Sequence, residues 1–192
     1  MSVAYAALLS SMGQAARDRK RGSSNIHYFL GLRPEIGTTT TVLNLAIAAA
    51  RQNQRVVVVD ANLRKPAVAT KVGLEPFPGL TEVLTGALSL GDVLRTTLQS
   101  NLRVVAAGSP AAIWADVSVV QELLTQLAQQ ADLVFVDGPC WDGKAAAKSL
   151  ATACSAAFLV VPGPEAESTP VNDLIRTLPG MSIPLAGCIL TA

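Results

Sequence analysis

The sequence predicts an α/β fold, a mainly parallel sheet with helices on both faces. Three observations carry that expectation. Apolar runs such as "RVVVVD" at 55–60 and "AAFLVVP" at 156–162 are continuous rather than alternating, as in strands covered on both sides. Segments with helical spacing fall between these runs, and strands alternating with helices call for right-handed crossovers. The chain has 192 residues, half of them apolar and 15% charged, enough for one domain with a real core.

Residues 2–16 read as a short helix with Val3, Ala7, Leu8 and Met12 on one stripe, and "RKRGSS" follows as a linker. Residues 1–24 are therefore assigned to an N-terminal helix and basic linker, and 25–192 to the domain proper. "NIHYFLGL" predicts the first strand. "TTTTVLNLAIAAARQ" predicts a helix, with Leu43, Ala46, Ile47 and Ala50 at helical spacing. "RVVVVD" is the second strand, "LTEVLTGALSLGDVL" suggests short helices, and "LRVVAAG" is a third strand. "DVSVVQELLTQLAQQA" is an amphipathic helix leading into the strand "LVFVD", then a helix around 144–153 and the strand "AAFLVVP". Ser168 or Thr169 caps a helix whose first turn takes Pro170, and "LAGCILT" is the last strand.

A formal net charge of +1 gives no global pull toward nucleic acid or anionic lipid. The local run "RDRKR" at 17–21 reads as a solvated linker, with a membrane-surface or acidic-partner contact as the alternative. Cys140, Cys154 and Cys188 are widely spaced and odd in number, which suits neither a metal pair nor a disulfide framework. His27 sits in an apolar strand pattern and is expected to be packed. No apolar run approaches the ~20 residues of a membrane span, and apolar residues precede the first positive charges, the reverse of a secretory signal. These features predict a soluble cytoplasmic domain.

Ligands of open α/β sheets gather outside the carboxyl ends of the strands. Three polar clusters fall there: "RPEIGTTTT", "DANLRKP" and "DGPCWDG". In the first, Gly37 permits a turn tight enough for backbone N–H groups to converge, and the following helix presents its positive end. A phosphate-binding loop reads G-x-x-x-x-G-K-[ST], with the lysine reaching the β- and γ-phosphates. Here Leu32 holds the first glycine position, and Gly37 is followed by Thr38 and Thr39. Thr39 occupies the position whose hydroxyl ligates Mg²⁺, and Asp60 and Asp137 follow apolar strands where they could hold the ion or its water shell. Strand-end aspartates also cap loops, so both readings stand for these two.

The stretch "VVVVDANLRKPAVATKVGLEPFPGLTEVLTGALSLGDVL" resembles the region around the second Walker motif of bacterial tyrosine kinases (BY-kinases), P-loop domains that regulate polysaccharide polymerisation and export. "LRVVAAGSP", "ADLVFVDGP" and "IPLAGCILTA" are similar to further strands of that family, so the resemblance covers nearly the whole chain. The broader relatives are MinD/ParA-type ATPases, and Leu63 to Pro66 favours the kinase branch. The resemblance implies a three-layer P-loop NTPase-like fold. It places the nucleotide near Arg33, Gly37, Thr38, Thr39, Thr40, Asn62 and Arg64, the magnesium at Thr39, Asp60 and Asp137, and the chemistry at Asp60 and Asp137.

The departures from the family pattern decide the functional expectation. The loop lysine falls at Thr38, a loop glycine at Glu35, and the second acid of Asp-x-Asp at Asn62. The charged ring-forming helix of the family aligns with Val3, Ala6 and Leu9, and "GSPAAIWADV" replaces a Pro-Asn-Pro-like loop. Only Tyr5 and Tyr28 exist, so the tyrosine-rich tail has no counterpart. Arg33 lies four residues before Gly37, where MinD/ParA-type loops carry an extra lysine, and is the candidate to supply the lost charge. Lys65 and Lys144 are weaker candidates and read as surface residues.

The expectation is a catalytically impaired regulatory or interaction module linked to polysaccharide biosynthesis. Mg-ATP or Mg-ADP would bind weakly if at all. A membrane-embedded export component or an active paralogue would be the partner, reached as a homo- or hetero-oligomer at the inner face of the membrane, with no nucleic acid involved. The alternatives are a Mg-ATP-binding ATPase or tyrosine autokinase with a non-standard loop, and a MinD/ParA-type positioning ATPase.

Overall fold

The computed structural model describes residues 5, 7–10, 12, 25–110, 117–143, 145–180 and 185–191. Seven strands form one sheet: β1 (Ile26–Gly31), β2 (Val56–Asp60), β3 (Leu94–Thr96), β4 (Leu102–Val105), β5 (Leu133–Asp137), β6 (Ala156–Pro162) and β7 (Leu185–Thr191). Their spatial order is β3-β4-β2-β5-β1-β6-β7. Every neighbouring pair is parallel except β3 with β4. Helices α1 (Thr38–Ala50), α2 (Val68–Lys71), α3 (Leu80–Leu84), α4 (Leu90–Val93), α5 (Val117–Gln130), α6 (Ala145–Ala153) and α7 (Thr169–Gly180) connect them.

The strand period of two divides each apolar run between two cores. Tyr28, Leu30, Val57, Val59, Val134 and Val136 point into one, against Leu124 and Leu127 of α5 and Leu174 and Leu178 of α7. Phe29, Val56, Val58, Phe135 and Phe158 point into the other, against Val42, Leu45, Ala46 and Ala49 of α1. The small side chains of α1 let it lie close to the sheet, and the Phe29 ring fills the space with Phe135 and Phe158 at 5.3 and 5.5 Å. Burying both faces is what these continuous apolar strands require.

The short edge strand β3 replaces the end of the helical segment expected over "LGDVL". Leu94 to Thr96 run antiparallel to β4, so pairing with the existing sheet overrides the local helical pattern. At the N-terminus, residues 5, 7–10 and 12 are helical where described. Tyr5, Leu8 and Leu9 pack against the α1-side core, and Met12 is buried in it. The helix thus covers the chain's own core at the described positions. Val3, Ala6, "RDRKR", most of "AAIWADV" and Lys144 lie outside the described residues.

Candidate functional site

The parallel strands β2, β5, β1 and β6 stand side by side, and their carboxyl ends deliver Asp60, Asp137, the loop 32–37 and the turn 163–165 to one rim. In the loop, Gly37 has φ 91°, the left-handed conformation open to glycine, and its carbonyl accepts the first helical bond from the Thr41 N–H at 2.9 Å. Glu35 has φ 65°. The loop therefore keeps a glycine-like backbone at a position that carries a carboxylate, a conformation non-glycine residues visit at a cost.

Thr38, at the lysine position, does not extend into the loop as a lysine would. A Cβ placed on Gly31 would meet the Thr38 hydroxyl at 2.8 Å, so this side chain folds back against the end of β1. Thr39 donates its hydroxyl to Asp137 Oδ2 at 2.6 Å. Asp137 Oδ1 is buried without a hydrogen-bond partner. Burial pushes Asp137 up to about 7; the Thr39 hydrogen bond opposes the rise and the Asp60 charge adds to it.

Asp60 is engaged differently. Its Oδ1 accepts the Asn62 N–H at 3.2 Å, and its Oδ2 accepts those of Ala67 and Val68, both at 3.0 Å. Burial still lifts it to about 6 against these bonds. Asn62 in turn accepts the Lys65 N–H at 3.3 Å, so both side chains shape the loop after β2. Of the two readings open for the strand-end aspartates, Asp60 has the geometry of a loop cap and Asp137 retains a free oxygen.

Three cations near the rim face carboxylates. Arg33 donates through Nε and Nη2 to Glu165 Oε1 at 3.2 and 2.5 Å. Arg64 lies 3.6 Å from Asp142, and Lys65 lies 3.7 Å from Glu35. Thr40 is exposed beside an open cavity of about 610 Å³ bounded by the loop, the end of β7 and the N-terminal residues Tyr5 and Leu8. The Tyr5 hydroxyl accepts from Asn44 of α1 at 3.1 Å, fixing that wall.

Sequence reasoning reached the rim residues but missed Glu165, Asp142 and the pairing of Glu35. Nothing in their spacing marks them, because each pairing joins loops far apart in the chain. Tyr28 was also missed as a support of the site. Its buried ring lies under Gly138, where a Cβ would come within 2.5 Å of the Tyr28 hydroxyl. Gly138 and Trp141 then bond through their N–H groups to Phe29 and Gly31 carbonyls, which seats the loop after β5 on the end of β1.

Asp137 and Thr39 offer oxygen ligands suited to magnesium, and the unpartnered Oδ1 is a buried acceptor that a cation would satisfy. The phosphate side fits poorly: position 38 has no ammonium group, and Glu35 brings a carboxylate to the loop.

No family model matches the chain. It is similar to the tyrosine-protein kinase ptk of Acinetobacter johnsonii, 33% identical over 119 residues, covering 60% of this chain and 16% of that protein. It is also similar to the tyrosine-protein kinase YwqD of Bacillus subtilis, 29% identical over 82% of this chain and 68% of that one. The chain therefore spans a small part of the first relative and about two thirds of the second. Among solved structures, the kinase domain of the Escherichia coli tyrosine kinase ETK superposes with a TM-score of 0.86 at 22% identity, over 98% of this chain and 74% of that one. MinD of Pyrococcus horikoshii, complexed with Mg-ADP, superposes at 0.73 with 24% identity, over 86% and 69%. The fold is that of the P-loop NTPases.

Proposed function

We propose that this homologue of bacterial tyrosine kinases acts as a regulatory or interaction module and does not transfer phosphoryl groups. The observation that carries the reading is position 38, where a threonine folds against Gly31 in place of a lysine aimed at phosphate. A charge-assisted contact of that kind is worth roughly 1.5–3 kcal/mol in ordinary contexts. At a transferring phosphoryl group a single donor can be worth ~10²–10³ in rate. Arg33 could compensate only by leaving Glu165, and Arg64 and Lys65 also face carboxylates. Within these 192 residues the tyrosines are Tyr5 and Tyr28, and Tyr28 is fully buried, which leaves it closed to phosphorylation in the folded chain.

The partner class follows from the resemblance: a membrane-embedded polysaccharide-export component or a catalytically competent paralogue. The described residues contain no helix long and apolar enough to cross a membrane.

A second reading has its own support. The Thr39–Asp137 pair keeps the oxygen ligands for magnesium, so Mg-ATP binding with slow turnover is the competing function. Calorimetric titration with Mg-ADP and Mg-ATP separates the two. No heat of binding up to millimolar nucleotide is expected. Micromolar affinity, lost in Asp137→Ala, would establish the competing reading instead.

A further inference from the structure

The three ion pairs at the rim share a geometry that the strand order exposes. Arg33 and Glu35 follow β1, Arg64 and Lys65 follow β2, Asp142 follows β5 and Glu165 follows β6. Arg33–Glu165 and Arg64–Asp142 each link loops of adjacent strands. Lys65–Glu35 is different. Strands β2 and β1 are separated by β5, so this pair crosses the carboxyl end of β5, where Asp137 holds Thr39. All four loops are thereby joined by charges the chain itself supplies.

We propose that these carboxylates close the anion site from within: Glu35, held against Lys65 above the end of β5, stands in the approach of a phosphate-bearing ligand, while Glu165 and Asp142 occupy the two arginines that would otherwise receive it. The inference rests on the reading that no nucleotide works at this site, and it adds the cause that keeps anions out. Three features support it. Glu35 adopts φ 65°, so the loop backbone accepts strain while projecting a carboxylate. Arg33 places two charge-assisted donors on one oxygen of Glu165, so its guanidinium is engaged across the two loops. The Glu35–Lys65 pair is exposed, at 86% and 69%, so a single substitution opens it without harm to the core.

The test uses magnesium pyrophosphate as the probe, titrated calorimetrically into the full chain and into Glu35→Gln and Glu35→Gln/Glu165→Gln. Pyrophosphate is expected to bind the first variant about tenfold more tightly than the wild type, and the double variant more tightly again, as freed cations meet the anion at close range. Amide hydrogen exchange over 32–37 should quicken in Glu35→Gln at an unchanged melting temperature. Equal pyrophosphate affinity in all three proteins, or no binding by any of them, would overturn the proposal. Tight Mg-ATP binding by the wild type would instead refute the non-enzymatic reading, a result independent of the ratio between variants.

Discussion

At Asp137 the fold holds a carboxyl near pKa 7 that water would hold near 3.8, chiefly because burial disfavours its charge. A raised carboxylate costs the folded state stability above its unfolded pKa, and the cost disappears as acid protonates it. Asp137→Asn keeps an acceptor for Thr39 and carries no charge. It should therefore stabilise the protein at pH 8 by roughly 2–4 kcal/mol, and the advantage should shrink toward pH 4. His27 behaves in the opposite sense. Burial lowers it from 6.5 to about 4, and its Nδ1 has no partner. Protonating it is harder in the fold than in the unfolded chain, so wild-type stability falls as pH drops through 6.5 toward 4. His27→Leu should gain on the wild type over that window, by about 2–3 kcal/mol at its acid end. Chemical denaturation of the two variants from pH 4 to 8 should give slopes of opposite sign. Parallel curves would contradict both assignments.

The elements that hold the site were partly legible in the sequence. Continuous apolar runs mark β1, β2, β5 and β6 because a strand covered on both faces has no polar alternation, and Gly37 marks the tight entry to α1. Strand β3 escaped notice because three residues have no periodicity of their own; their conformation comes from pairing with β4. The support beneath the loop after β5 was equally hidden. Gly138 looks like an ordinary loop glycine, yet a Cβ there would lie 2.2 Å from the Tyr28 ring. Gly138→Ala should therefore cost about 1–3 kcal/mol in thermal or urea unfolding, the range for overpacking a filled core. Tyr28→Phe should be nearly neutral, because the hydroxyl it removes has no partner. A large loss in Tyr28→Phe would show that the hydroxyl is bonded after all.

Across the whole molecule, the sheet order assembles the rim from loops that the chain visits at widely separated points. That is why the sequence revealed Asp60 and Asp137 as strand-end residues and the threonines as the start of α1, but not the carboxylates opposite Arg33 and Arg64. A ligand that binds only the folded state raises its melting temperature by mass action. Melting in 1 mM Mg-ATP should accordingly match melting in magnesium alone, whereas Thr38→Lys/Glu35→Gly should rise by several degrees if the scaffold still fits nucleotide. The N-terminal helix offers a check on the same scale. Leu9 packs on the α1-side core. Leu9→Arg should cost on the order of 1 kcal/mol, by exposing apolar surface that now lies covered.

Asp60 has one more consequence. By accepting three amides of its own chain, its carboxylate ties the loop after β2 to the strand end through bonds internal to the protein. A module of the proposed kind, without nucleotide turnover, would have no timer. Its effect on whatever it touches would then follow its abundance, and doubling the amount of protein should do what loading with a nucleotide does elsewhere.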